Sequence, residues 1–501
     1  MCYYYNMQKN TSEKPAAITK YGTVEGVKEN GINVFKGIPY AKPPTEERRF
    51  KAPEEPDAFT EIYKADKYAP TCHQLIQIQF EKEDENCLYL NVYAPDTPGL
   101  KPVMVFIHGG SFLYGSGSQY IYYGHGISSH GIVTVTFNYR LGAFGALDFS
   151  AMDSSLDSNI CLKDQAAAIK WVYENIEAFG GDRENITLCG QSAGAISTMA
   201  LINAPSVQNY IKKAIIMSPF PFLYNTPEKA AETAELFLKE NKITDVAALR
   251  EMKAKKLKLT VLKLIKTRYK IWGMESFMPV IDGDFLPCSP LKSVYNGKNA
   301  KVPILIGTVE NEVDILFKLK LMAKTAAREI QNFLEEESAL KADFESNYGT
   351  DNKKLAALGR DWFIRMPSEW YLKKHCETAP GYLYNFRYMN PFLKFSGLES
   401  FHCCDTIFAM KNFDNPLGKA ILATDKNKKA ASELADRLQA ALADFIKTGN
   451  PGWDGFENEG YLKIFDIDGD TELKEGDSVL RKLWYSTKLY NSFFGDNNAG
   501  K

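Results

Sequence analysis

The clearest chemistry in the chain lies at residues 186–195, Ile-Thr-Leu-Cys-Gly-Gln-Ser-Ala-Gly-Ala. Gly190-Gln191-Ser192-Ala193-Gly194 is a G-x-S-x-G sequence, preceded by an apolar, β-branched stretch and followed by small residues through Ala200. The first stretch predicts a buried strand and the second a helix. A strand that turns directly into a helix forces its pivot residue into a strained conformation and projects the hydroxyl from the turn. Glycines two positions either side leave room for that turn. The helix start adds N–H groups and partial positive charge where an oxyanion would form. These features point to Ser192 as a nucleophile.

Such a serine needs a scaffold. Val103–Ile107 and Ile132–Phe137 are continuous apolar runs, as expected of strands buried on both faces. The first ends in His108-Gly109-Gly110-Ser111-Phe112, a turn whose glycines expose backbone N–H groups. Asp164–Phe179 has apolar residues at helical spacing and stops at Gly180-Gly181. Further strands are predicted at 213–218, 302–307 and 382–388, and a final amphipathic helix at 430–447. Gly22–Val27 and Val34–Ala41 alternate and break at glycines, predicting small antiparallel strands at one edge. The succession predicts an α/β fold, a large and mostly parallel sheet covered by helices on both faces. Residues 226–270 and 318–378 read as helical insertions outside it. Residues 1–20 are mostly polar and are expected to be loosely held, with 21–501 forming a single domain.

Composition narrows the partners. The 501 residues are 45% hydrophobic and 24% charged, with a net charge of −2. This gives no electrostatic case for nucleic acid or an anionic membrane, and no stretch approaches the roughly 20 apolar residues of a membrane span. The first residues show no basic segment followed by an apolar one, so the expected location is cytoplasmic, or secreted if a leader has been removed. Nine cysteines without any CxxC spacing predict neither a disulfide scaffold nor a metal site.

Together these residues resemble the type B carboxylesterases, the group of α/β-hydrolases that includes cholinesterases and bacterial p-nitrobenzyl esterases. The resemblance is carried by Phe35–Ala41, Glu85-Asn86-Cys87-Leu88, His108–Phe112, Asn138-Tyr139-Arg140, Asp164-Gln165, Phe179–Asp182 and Gly190–Ala195, in that order. It implies the α/β-hydrolase fold and a triad in the chain order serine, glutamate, histidine. The family's acid follows a strand ending in glycine, here Gly307-Thr308-Val309-Glu310-Asn311-Glu312-Val313. Alternation alone does not choose between Glu310 and Glu312; the family's spacing from Gly307 falls on Glu312. Asn311 and Val313 depart from the usual residues there. Of six histidines only His375 and His402 follow the acid. His375 reads as a surface residue on a helix, whereas His402 lies in a loop after the late strand, where the family carries its base. Cys403 replaces a customary small residue.

The resemblance also implies an oxyanion hole made by the backbone N–H groups of Gly110, Ser111 and Ala193, with His108 supporting the loop. It pairs Arg140 with Asp164 and Arg49 with Glu85, places Ser218 as a hydrogen-bonding neighbour of the triad, and puts Cys72 and Cys87 where secreted relatives carry a disulfide. The expected activity is hydrolysis of small-molecule carboxylic esters through an acyl-enzyme, with neither metal nor organic cofactor. A lipase acting on long-chain esters, or a non-catalytic adhesion or scaffold protein, are the alternatives. Intact Ser192, Glu312 and His402 argue against the scaffold, and the lysine-rich stretch at 253–270 does not suggest a lipase lid.

Overall fold

Alternation along the central strands decides the layering. In β7 (Lys101–Ile107), Val103, Val105 and Ile107 join one apolar cluster while Met104 and Phe106 join another on the opposite face. A strand covered on both faces belongs to the middle of a helix-flanked sheet. The computed structural model describes residues 14–77, 82–267, 275–314, 320–349, 351–396, 399–422, 425–457, 460–474 and 478–494.

Two sheets form. The small one pairs β1 (Ala16–Thr19), β2 (Gly22–Glu25) and β5 (Tyr63–Lys64). The large one adds to β7 the strands β3 (Val27–Glu29), β4 (Ile32–Pro39), β6 (Tyr89–Pro95), β8 (Val133–Phe137), β9 (Gly181–Gln191), β10 (Lys213–Met217), β11 (Ile304–Val309), β12 (Gly381–Arg387), β13 (Tyr461–Asp466) and β14 (Thr471–Lys474). Its order is β14-β13-β12-β11-β10-β9-β7-β8-β6-β4-β3. Pairings from β8 to β13 are parallel and those at both edges antiparallel. The carboxyl ends of β7, β9, β10 and β11 therefore meet at one rim, where open α/β sheets bind their ligands.

The helical insertions form Pro227–Asn241, Val246–Glu251 and Ala254–Thr267, then Lys320–Glu336, Lys341–Tyr348, Asn352–Arg360 and Met366–His375. A satellite core of Phe333, Phe344, Tyr348, Trp370 and Trp484 binds the second group to the late helix Val479–Tyr485. Among the described residues no helix is long and apolar enough to cross a membrane.

Two expectations about boundaries change. The loosely held stretch does not extend to residue 20: Ala16–Thr19 pairs with Gly22–Glu25, and Ala17 and Thr19 turn inward. Residues 1–13 lie outside the described residues, as do 268–270 of the lysine-rich stretch. The helix expected to begin at Asp164 starts at Ile160, and its last turn, Ile176–Phe179, tightens to a 3₁₀ helix.

Candidate active site

Strand β9 ends at Gln191 and the helix Ala193–Leu201 begins two residues later, leaving Ser192 to make the whole turn at φ 56°, ψ −119°. This is sparsely populated backbone for a residue with a side chain. Contacts on both sides hold it: Ser192 N–H donates to Met217 O on β10 at 2.9 Å, and Ser192 O accepts from Ile196 at 2.9 Å. A serine before a helix commonly caps it. Here the Ser192 side chain makes no such bond, which leaves the first N–H groups of the helix uncapped.

The flanking glycines are required by close approach. A Cβ on Gly190 would lie 2.2 Å from Gly194 O, and one on Gly194 would lie 2.1 Å from Ile107 O. The helix thus rests directly on the end of β7. There the chain continues into His108-Gly109-Gly110-Ser111, and a Cβ on Gly109 would lie 3.1 Å from Ser192 Cβ. Gly110 (φ 119°), Ser111 (φ 55°) and Phe112 (φ 58°) are all left-handed, which curls the loop beside the elbow. Gly110 O accepts from Leu113 and Tyr114. His108 supports the curl from below. Its Nδ1 bonds Gly109 O at 2.8 Å, its ring stacks on Tyr139 at 4.3 Å, and burial lowers its pKa to about 4.

The pairing of Glu312 with His402 comes from backbone register. Asn311 and Phe401 form a parallel bridge, and Asn311 N–H donates to Ser400 O at 3.1 Å. The next residue on each side is Glu312 and His402. His402 Nδ1 lies 2.6 Å from Glu312 Oε2, while Oε1 accepts from Val309 N–H at 2.9 Å. Glu312 has no exposed side-chain surface. The acceptor-only carboxylate assigns the hydrogen to Nδ1 and leaves the lone pair on Nε2. Glu310, the other glutamate of the motif, is ion-paired with Arg360 at 3.0 Å and Arg387 at 3.1 Å. The turn at Glu310 breaks the alternation that would have aimed both glutamates the same way.

Other expected residues fall elsewhere. His375 ends its helix but is buried rather than at the surface. It accepts from Asn299 Nδ2 at 2.9 Å, its Nε2 bonds Val302 O at 3.0 Å, and burial lowers its pKa to about 4. The end of its helix packs beside the entry to β11, which encloses the ring. Ser218 lies at the rim through its N–H bond to Gly307 O, yet its buried hydroxyl has no partner among the described residues. Arg140 grips Asp164 through two bonds of 2.8 and 2.6 Å, and Arg49 pairs with Glu85. Cys72 and Cys87 are free, buried thiols, and the hydrogen bond between them raises the pKa of Cys87.

Sequence reasoning missed three neighbours of His402. Phe220, after Pro219, places its ring 5.9 Å from the imidazole. Gln191 Nε2 lies 3.2 Å from His402 Nε2. Asp405 sits fully buried near Glu312, accepting from Tyr384 OH at 2.8 Å and Thr406 N–H at 2.8 Å. Burial, and then the charge on Glu312, lifts the Asp405 carboxyl to about 6. Its position three residues after His402 was the available signal.

Comparison with known proteins identifies the family of the chain. A model of the carboxylesterase family matches residues 13–472. The para-nitrobenzyl esterase of Bacillus subtilis (strain 168) is 34% identical over 461 residues, 88% of this chain and 92% of that one. The juvenile hormone esterase of Tribolium castaneum is 37% identical over 328 residues, 60% of this chain and 55% of its own. A solved PNB esterase structure superposes with a TM-score of 0.82 at 33% identity, covering 93% of this chain and 99% of that one. The elbow, the mostly parallel sheet and these similarities converge: the chain belongs to the carboxylesterase family and has its α/β-hydrolase fold.

Proposed function

We propose that the protein hydrolyses small carboxylic esters through a Ser192–His402–Glu312 triad and an acyl-enzyme. The observation that carries this reading is the 2.6 Å contact of Glu312 with His402 Nδ1. It leaves Nε2 basic and beside the residue preceding the elbow serine. Ser192 Oγ attacks the ester carbonyl as His402 Nε2 takes its proton, and Glu312 stabilises the imidazolium that forms. The N–H groups of Gly110, Ser111 and Ala193 receive the tetrahedral oxyanion. His402 then protonates the leaving alcohol, and water activated by the same ring releases the acid. Phe220 gives the site an apolar wall beside the base. The names of the para-nitrobenzyl and juvenile hormone esterases suggest aryl and alkyl esters as the first substrates to screen.

The test is Ser192→Ala against p-nitrophenyl acetate. Turnover is expected to fall at least about 10⁴-fold, leaving only what binding and the oxyanion hole provide. The parent protein is expected to release a burst of p-nitrophenolate. A folded Ser192→Ala protein with near-parental turnover would overturn the mechanism.

A further inference from the structure

The hydrogen bond at His402 Nε2 belongs to a residue outside the triad. Gln191 is the last residue of β9, only 2% exposed, and its side chain lies across the oxyanion loop. A Cβ on Gly109 would stand 2.6 Å from Gln191 Oε1, so the glycine is a condition for this placement. The other end of the amide, Nε2, is 3.2 Å from His402 Nε2. Because Glu312 fixes the ring hydrogen on Nδ1, His402 Nε2 can only accept, and an amide nitrogen can only donate. Among the described residues, Gln191 is the one hydrogen-bond partner of that nitrogen. Its lone pair is the one Ser192 needs for its proton.

We propose that Gln191 is a positioning residue that holds His402 as the neutral base in the unliganded enzyme, donating to Nε2 and yielding that acceptor to Ser192 when ester binds. The inference rests on the triad reading. In this amide orientation an imidazolium would place N–H against N–H, so the contact favours the neutral ring. The other groups around the ring act differently. Glu312 favours the cation from Nδ1. Asp405 stands near Glu312 beside Tyr384, and Glu310 is turned to Arg360 and Arg387. Cys403, with Tyr114 and Tyr122 near it, is a thiol that burial pushes up to about 12. Phe220 contributes no charge.

Gln191→Glu keeps the size and replaces the donor by an anion that favours imidazolium. The acid limb of kcat/KM is expected to move up by about one to three pH units, the range for an opposite charge at this distance. Gln191→Met removes the donor without adding charge, and its limb should rise by less than in Gln191→Glu. A residue that merely fills space would lower rate or Tm alike at every pH and leave the limb in place. A second measurement needs no turnover: imidazole ¹⁵N spectra, with His402 assigned by His402→Gln. The parent should show a neutral ring with Nε2 hydrogen-bonded, and Gln191→Met should shift that Nε2 signal. An unmoved limb in folded Gln191→Glu, or an unshifted Nε2 signal in Gln191→Met, overturns the proposal. Persistent turnover in Ser192→Ala would overturn the triad instead, while the spectra would still report the Gln191 contact.

Discussion

Replacing Glu312 by glutamine exchanges one oxygen for nitrogen yet reverses the hydrogen available to His402. The Val309 N–H that donates to Glu312 Oε1 at 2.9 Å decides which way a new amide turns. The amide oxygen must face Val309, so its NH₂ falls toward His402 Nδ1. Nδ1 then becomes the acceptor and the ring hydrogen moves to Nε2, where it blocks uptake of the Ser192 proton. The imidazolium also loses its counter-charge. At an effective dielectric of 20, unit charges about 4 Å apart attract by about 4 kcal/mol, equivalent to about 10³-fold in rate. With the tautomer penalty added, the expected loss in kcat/KM is about 10⁴-fold. The assay is p-nitrophenyl acetate hydrolysis at pH 8, with thermal melts to show that both variants are folded. Glu310→Gln is the control: it weakens a partly exposed ion-pair cluster, costs about 1 kcal/mol of stability or less, and leaves kcat/KM near the parent value. A Glu312→Gln enzyme within about tenfold of the parent, or a larger loss in Glu310→Gln, would refute the reasoning.

Two further outcomes follow from the same rim. The Asp405 carboxyl is raised from 3.8 to about 6, so the native state binds the extra proton and its stability falls as pH rises from about 4 to 6. Asp405→Asn should therefore stabilise the protein at pH 7.5 by up to about 3 kcal/mol in denaturant melts, with the gain gone by about pH 4; a gain independent of pH would contradict this. Gly194→Ala puts a methyl against the Ile107 and His108 carbonyls, which are backbone and cannot swing aside. It should destabilise by about 3 kcal/mol and cut ester turnover by displacing the helix from the oxyanion loop; parental Tm and rate would show that contact to be slack.

How much of this was legible depended on whether the signal was local. The elbow is local: Gly190, Ser192 and Gly194 solve a steric problem within five residues, so the motif predicted both the turn and its place between strand and helix. The sheet was legible because Val103–Ile107 and Ile304–Ile306 are continuous apolar runs and Ile186–Cys189 is apolar or β-branched. Glu312 was reached only through the family's spacing, because the contact that selects it, Asn311 with Phe401, joins segments 90 positions apart. His375 was misread for a related reason. Its helix supplies no clear apolar stripe, and its burial is set by Asn299 and Val302 on another segment. Gln191 looked like the variable position of a motif, and only the folded loop, with Gly109 beneath its side chain, gives that amide a target.

The satellite core has a consequence for biosynthesis. Trp484 Nε1 bonds Tyr348 OH at 2.8 Å across 136 positions, and the N–H groups of Lys488 and Leu489 both donate to the Glu337 carboxylate at 2.9 Å. At ribosomal speeds of about 5–20 residues per second, Tyr348 emerges about seven to twenty-seven seconds before Trp484. Throughout that interval Phe333 and Phe344 lack the ring they close upon. The second helical insertion therefore waits with an open apolar face until Trp484 is made, and its docking is a late step set by translation rather than by local helix formation.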